Sequence, residues 1–330
     1  MMSPIRVLVL GMGRWGNRWL EALADIPGVA LAGTAGGRVR VAADKLPKTN
    51  SYCHYRSFSE ALDRCLADAV IVTLPVRLHA EAITRAIEAG MHVLVEKPLV
   101  GTRQDLAAVL SARSGRPDIQ VVVSQNYRYR PWARRARQQI TSGILGEVRH
   151  ISIRFSKAEF LEGGRDQLQA PLLEDMCIHH LDLVRYLTGR EAVEVFAIQH
   201  RAPWSRYSGM PGLEALITLD DGTVVNYSGT WAGRGPETSW DGEFVFHGEH
   251  GVLEVAEDKV ALNGDPTAAL IPQRIPNETD DLRAVFQSFQ QAVDGHKVAE
   301  TDVVDNRWTV ELLFAVEESL KSRRPAPVRA

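Results

Sequence analysis

Residues 7–23 read VLVLGMGRWGNRWLEAL. The stretch opens with four apolar residues, a run short enough for a buried strand. It passes through Gly11-x-Gly13-x-x-Gly16 and ends in a pattern with helical apolar spacing. A bare G-x-G-x-x-G is weak evidence, but a strand before it and a helix after it are the context a dinucleotide loop needs. Gly11 permits the tight turn, Gly13 lets a pyrophosphate approach the backbone, and Gly16 lets helix and strand pack closely. The helix start then offers unpaired N–H groups and a positive dipole end to phosphate.

Outward from this loop, the first 125 residues alternate. Apolar strand candidates lie at 5–10, 29–34, 69–73, 92–95 and 120–124. Helical patterns stand between them, such as SFSEALDRCL (57–66) and RLHAEAITRAIEAG (77–90). Ser57 followed by Glu60 is a capping-box pattern, and Gly90 suits a helix stop. Strands alternating with helices predict a doubly wound parallel sheet, a Rossmann domain over 1–125. After that the pattern changes. EVRHISIRF, AVEVFAIQH, LEALITLDDGTVVNYSGTW and GEFVFHGEHGVLEV are strand-like runs. Asp220-Asp221-Gly222 and the Gly248–Gly251 segment mark hairpin turns. With helical patterns near 172–188, 279–294 and 302–322, residues 126–330 read as an α/β domain built on a largely antiparallel, open-faced sheet.

A dinucleotide fold commonly places Asp or Glu about 20 residues past the glycine motif, on the adenosine ribose. Here VALAGTAGGRVR (29–40) ends in Gly36-Gly37-Arg38 with no carboxylate. An arginine in that place suits a 2′-phosphate, so NADP is expected ahead of NAD.

The 330 residues carry a formal net charge of −3, which argues against a general nucleic-acid binder. The basic run YRYRPWARRARQQI (127–140) is expected to be mainly a solvated helix face after Pro131. Phosphate binding or a subunit contact is its other reading. Cys53, Cys65 and Cys177 are too few and too scattered for a disulfide framework or a metal cluster. The apolar run before Gly11 is too short for an export signal or a membrane span. A cytoplasmic protein with reduced thiols and no membrane partner is expected.

Several further segments carry a resemblance. TLPVRLHAE (73–81) contains Pro-x-x-x-His, and MHVLVEKPLV (91–100) ends an apolar run in Glu96-Lys97-Pro98. QNYRYRP (125–131), GILGEV (143–148), EDMCIHHLDLVRYLTG (174–189) and a C-terminal helical segment follow in order. Together these resemble the glucose-fructose oxidoreductase / inositol dehydrogenase / MocA family over nearly the whole chain. The resemblance implies an NAD(P)-dependent dehydrogenase or reductase that moves hydride between nicotinamide and a secondary hydroxyl or ketone of a sugar, sugar derivative or cyclitol. It implies catalytic roles for Lys97, Asp175 and His179, with a cis Lys97–Pro98 bond. Cofactor contacts are implied at Gly11, Gly13, Arg14, Trp15, Gly16, Gly36, Arg38, Thr73, Leu74, Pro75, His79, Glu96, Lys97 and Gln125. Substrate contacts are implied at Lys97, Tyr127, Arg154, Asp175 and His179, and a homodimer or homotetramer assembled on the open sheet face.

The residues themselves fit that chemistry. An imidazole titrates near neutrality and suits a general base. Asp175 and His179 are four apart, and on a helix that spacing puts both on one face. His180 points elsewhere and reads as structural. The same three side chains lack zinc-helix spacing, so no metal is expected. Two departures from the family pattern stand out. Cys177 replaces a common Gly and bears on pocket width and helix approach, and QAPLLED (169–175) lacks the usual Gly-Gly. Two alternatives share the motifs: a nicotinamide-dependent glycosidase of the same family, and a non-catalytic NADP(H) sensor.

Overall fold

The computed structural model describes residues 4–42, 45–47, 52–161, 167–263 and 280–329. The chain forms two compact units. The first takes the residues through Asn126 together with 280–307, and the second takes 127–263 and 308–329. A single division at 125/126 therefore needs correction. The segment 280–307 returns to the first unit, where its helix lies against the first helix of the chain.

In the first unit the elements run β1 (Ile5–Met12), α1 (Arg14–Ala24), β2 (Val29–Gly37), β3 (Cys53–Tyr55), α2 (Phe58–Arg64), β4 (Ala69–Val72), α3 (His79–Glu88), β5 (His92–Val95), α4 (Arg103–Gly115) and β6 (Val121–Val123). All strand pairs are parallel, in the order β3-β2-β1-β4-β5-β6. The order reverses between β1 and β4, and ligands of such sheets bind beyond the strand carboxyl ends at that switch point. Val7–Leu10, Val70–Val72, Val93–Val95 and Val121–Val123 are all wholly buried, which is why these strands are continuous apolar runs rather than alternating ones. Ser57 caps α2, its hydroxyl accepting from the Glu60 N–H at 3.1 Å. Gly90 ends the α3 region at φ 78°.

The second unit contains α5 (Pro131–Thr141), β7 (Val148–Ser156), α6 (Ile178–Thr188), β8 (Ala192–His200), β9 (Gly212–Leu219), β10 (Val224–Thr230), β11 (Glu243–Gly248), β12 (Gly251–Ala256) and β13 (Lys259–Leu262). Helix α7 (Asp280–Val293) belongs to the first unit, where Arg283 reaches Asp25 at 2.6 Å, just past α1. Helix α8 (Val303–Ser322) follows, then β14 (Ala326–Pro327). The eight strands are ordered β13-β12-β11-β7-β10-β9-β8-β14 and pair antiparallel, except for a central parallel pair, β7 with β10. Hairpins turn at Asp220–Gly222 and Gly248–Gly251, as the turn residues predict. Alternate residues of β7 (Ile151, Ile153 and Phe155) are buried in one core with Ile178, Leu181 and Tyr186 of α6. The opposite face of the sheet leaves Phe196, Ile198 and Leu216 exposed.

Candidate active site

The glycine loop is built by close approach. Gly11 has φ 96°, and a Cβ there would stand 2.7 Å from the Thr73 carbonyl oxygen. A Cβ on Gly16 would overlap the Gly11 carbonyl. Only glycine satisfies both. Thr73 fastens the turn: its hydroxyl donates to the Gly11 carbonyl at 2.6 Å. Gly13 differs, because a Cβ there would meet nothing within 4 Å. That open side lies at the start of α1, which no side chain caps. This is the cradle a pyrophosphate needs.

Asn17 is a residue sequence reasoning missed. It is 8% exposed, and its amide donates to the carbonyls of Gly13 at 2.8 Å and Arg38 at 3.1 Å. Its oxygen accepts from the Arg40 N–H at 2.6 Å. One side chain thus ties the phosphate turn to the segment after β2. The available signal was an asparagine on the otherwise apolar face of an amphipathic helix. Gly36 lies at φ 67° with open space around its missing side chain, and Arg38 is exposed beyond it. Arg14 is exposed and Trp15 half-buried at the start of α1.

The loops after β4 and β5 are pinned together from inside. His79, placed among the cofactor contacts by resemblance, is 1% exposed. Its Nδ1 lies 3.0 Å from the Pro98 carbonyl and its Nε2 2.8 Å from the Leu74 carbonyl. Both ring nitrogens are thus engaged by backbone, so His79 spaces the Leu74–Pro75 and Pro98–Leu99 turns rather than presenting itself to a ligand. Burial pushes its pKa down, and the carbonyls pull it partly back. Glu96 is likewise buried, accepting from the Trp19 indole N–H at 2.8 Å. Burial raises its pKa, opposed by Trp19 and the nearby Lys97. Strand β5 therefore ends in a charge pair split by role. Glu96 turns inward, while Lys97 follows half-buried at the strand's carboxyl end, and the Lys97–Pro98 bond is cis as the resemblance implied. Gln125, just past β6, is 1% exposed, and neither amide atom has a hydrogen-bond partner among the described residues. A buried amide left so is costly, and a ligand with donors and acceptors fits it. The open Gly13 turn, the uncapped α1 and this amide together fit a dinucleotide.

In the second unit, His179 and Asp175 occupy the start of the central helix. Leu173–Cys177 form a π-helical turn that leads into α6, so the regular four-residue spacing does not apply at Asp175. Such turns recur at functional sites because they re-aim side chains. Asp175 is half-buried, and His179 is 6% exposed. The imidazole lies flat on Tyr127, with ring centroids 4.2 Å apart and planes 8° apart. The Tyr127 hydroxyl is turned to Met176 Sδ at 3.7 Å and the residue is 7% exposed, so it backs His179 rather than lining open space. Arg154 does not join this group. It sits on the sheet face away from α6, because Ile153 and Phe155 occupy the inner positions, and it pairs with Glu243 at 2.9 Å. Its expected substrate contact is corrected accordingly. Cys177 is wholly buried beside Tyr227, and burial pushes its thiol up to about 12. It therefore fills core space rather than narrowing a pocket. His180 is structural as expected: it is fully buried, its Nδ1 lies 3.1 Å from the Tyr227 hydroxyl, and burial, with Arg130 adding, pushes its pKa down to about 3.

The part of the basic run that precedes Pro131 is not solvated. Arg128 is buried and bidentate to Asp182, at 2.6 and 2.7 Å, and Thr309 also donates to Asp182 at 2.8 Å. Arg130 pairs with the buried Asp241. The acids come from distant segments, which local charge patterning does not show.

Two family models match consecutive parts of the chain. Residues 5–126 match the NAD-binding Rossmann fold of the oxidoreductase family GFO/IDH/MocA, and residues 133–254 match the GFO/IDH/MocA C-terminal domain. The chain belongs to the GFO/IDH/MocA oxidoreductase family. Among its relatives, the 1,5-anhydro-D-fructose reductase of Ensifer adhaerens is 27% identical, over 79% of this chain and 80% of that one. The inositol 2-dehydrogenase of Rhizobium meliloti is 28% identical over 58% of each chain. An oxidoreductase from Agrobacterium radiobacter, solved with NAD+, L-tartaric acid and magnesium, has the same fold with TM-score 0.88 at 18% identity, covering 99% of both chains. No helix among the described residues is long and apolar enough to cross a membrane.

Proposed function

We propose that this GFO/IDH/MocA oxidoreductase moves a hydride between nicotinamide and a secondary hydroxyl or ketone on a sugar, sugar derivative or cyclitol. The observation that carries the reading is His179, an imidazole 6% exposed and held flat on Tyr127, one turn after Asp175. The activities of the two relatives, an anhydrosugar reductase and an inositol dehydrogenase, support the same substrate class. A bound nicotinamide supplies or accepts the hydride. His179 takes the hydroxyl proton as general base. Lys97 holds the substrate oxygen as negative charge gathers on it. Asp175 accepts from a neighbouring hydroxyl and fixes the substrate's orientation. The test is turnover across a panel of sugars and cyclitols with each dinucleotide.

The cofactor is proposed to be NADP(H) in preference to NAD(H). Support comes from the open, left-handed Gly36 and the exposed Arg38, with no carboxylate at the end of β2. Gly36→Asp with Arg38→Ala is expected to reverse the preference, since a carboxylate repels the 2′-phosphate and accepts from the ribose hydroxyls. Asp is among the residues that enter the left-handed region most readily. Fluorescence titration with both dinucleotides measures it, and tighter NAD(H) binding by the unaltered protein would refute it.

Assembly as a homodimer or homotetramer is also proposed. On the outer sheet face Phe196 stands opposite Leu216, with Ile198 beside them, all exposed. Contiguous apolar surface of this kind marks interfaces. Light scattering is expected to give a multiple of 36.5 kDa at micromolar concentration, and a monomer would count against it.

A further inference from the structure

A general base is useful only if its lone pair is aimed, and the last torsion of a histidine side chain is intrinsically broad. Something must hold the ring of His179. The Tyr127 ring lies parallel to it, with centroids 4.2 Å apart. The Arg130 guanidinium carbon stands 3.5 Å from the centroid of the same Tyr127 ring. Two flat groups cannot share one ring face at those separations, so the phenol is sandwiched between imidazole and guanidinium. Arg130 is fixed in turn by Asp241, which is 3% exposed and also accepts from the Trp132 indole N–H at 2.5 Å. The turn carrying Asp241 is tight: Gly242 lies at φ 79°, and a Cβ on it would come within 3.2 Å of His180 Nε2. At the other end, Arg128, the residue after Tyr127, grips Asp182, one turn beyond His179 on α6. The backbone at Tyr127 is thereby held in register with the helix that carries the imidazole.

We propose that Tyr127, Arg130 and Asp241 are positioning residues for His179, a braced three-layer stack that fixes the plane of the imidazole. The inference rests on His179 being the base, but its geometric half is separable from that reading. Position errors of about an ångström can cost about a hundredfold in rate, so loss of the stack acts on kcat. KM is little affected, because Tyr127 backs the imidazole, with its hydroxyl turned to Met176, and Arg130 and Asp241 stand behind Tyr127.

The test has two arms. Histidine-selective 13C labelling, with His179→Asn for assignment, gives the Cε1–H resonance of His179, which the parallel phenol ring shields. Tyr127→Leu and Arg130→Met are expected to move that resonance toward its unshielded position, and Tyr127→Phe, which keeps the ring, to retain the shift. Kinetics with myo-inositol and NAD+, and with 1,5-anhydro-D-fructose and NADPH, form the second arm. There Tyr127→Leu is expected to lower kcat by about 10- to 100-fold with KM nearly constant, and Tyr127→Phe to restore most of it. An unmoved resonance in both Tyr127→Leu and Arg130→Met overturns the stack. So does a kcat in Tyr127→Leu equal to wild type, or a loss in Tyr127→Phe as large as in Tyr127→Leu, which would give the hydroxyl the role instead. If the unaltered protein turns over neither probe, the substrate reading passes to the wider panel of sugars and cyclitols, and the resonance arm alone decides the stack.

Discussion

His179→Ala is expected to lower turnover by about two to four orders of magnitude, the usual contribution of a positioned base. Lys97→Met should fall in the same range by removing the cation that steadies the substrate oxygen. The two losses have distinct signatures. In the oxidation direction the wild-type rate rises with pH as an imidazole base loses its proton, and that limb disappears in His179→Ala but survives in Lys97→Met. Dinucleotide binding is retained in His179→Ala, since the glycine loop, Asn17 and Gln125 all lie in the other unit. Steady-state kinetics with a dinucleotide titration reads all of this. Near wild-type turnover in His179→Ala would move the proton to Asp175 or Lys97.

The second large effect is on stability. Arg128 and Asp182 are 4% and 2% exposed at the side chain and pair bidentately, with Thr309 and Arg185 closing the network. Removing one partner of such a pair strands a buried charge and typically costs about 3–5 kcal/mol. Arg128→Met should therefore lower the urea midpoint of the second unit sharply. The double variant Arg128→Met with Asp182→Leu should recover part of the loss, since an apolar pair leaves no uncompensated charge. A midpoint unchanged in Arg128→Met would show that the pair is not what holds the Tyr127 segment to α6.

Much of this architecture was legible in the chain, for reasons that differ by element. Strands buried on both faces, such as Val7–Leu10 and Val93–Val95, are uninterrupted apolar runs, and the glycines of the loop are steric necessities. The hairpin turns carry their own residue signals. What stayed hidden depends on distant partners. Strand β3, Cys53–Tyr55, is a short edge strand of only three residues, with no buried face to announce it. The parallel pairing of β10 with β7 joins runs whose local patterns fit either direction. The return of 280–307 to the first unit is a tertiary choice, fixed by contacts such as Arg283 with Asp25.

At the candidate site the pattern is the same. The places of Lys97 after β5, and of Asp175 and His179 at the entry to α6, were readable from motif order, but the groups around them were not. The π-helical turn before α6 depends on packing around Leu173 and Met176. Arg128 and Arg130 look like surface charge until Asp182 and Asp241 arrive from far along the chain. Arg154 was misplaced because strand alternation, not proximity to a motif, decides its face.

Hydride transfer is tested by nicotinamide absorbance during incubation with a panel of sugars and cyclitols, using NADP and NAD in turn, with the organic product identified in parallel. Dinucleotide reduction is expected in step with oxidation of one secondary hydroxyl to a ketone, faster with NADP. Product formed with no net change in the dinucleotide would contradict net hydride transfer and favour the nicotinamide-dependent glycosidase alternative. Tight dinucleotide binding without turnover of any panel member would contradict it as well.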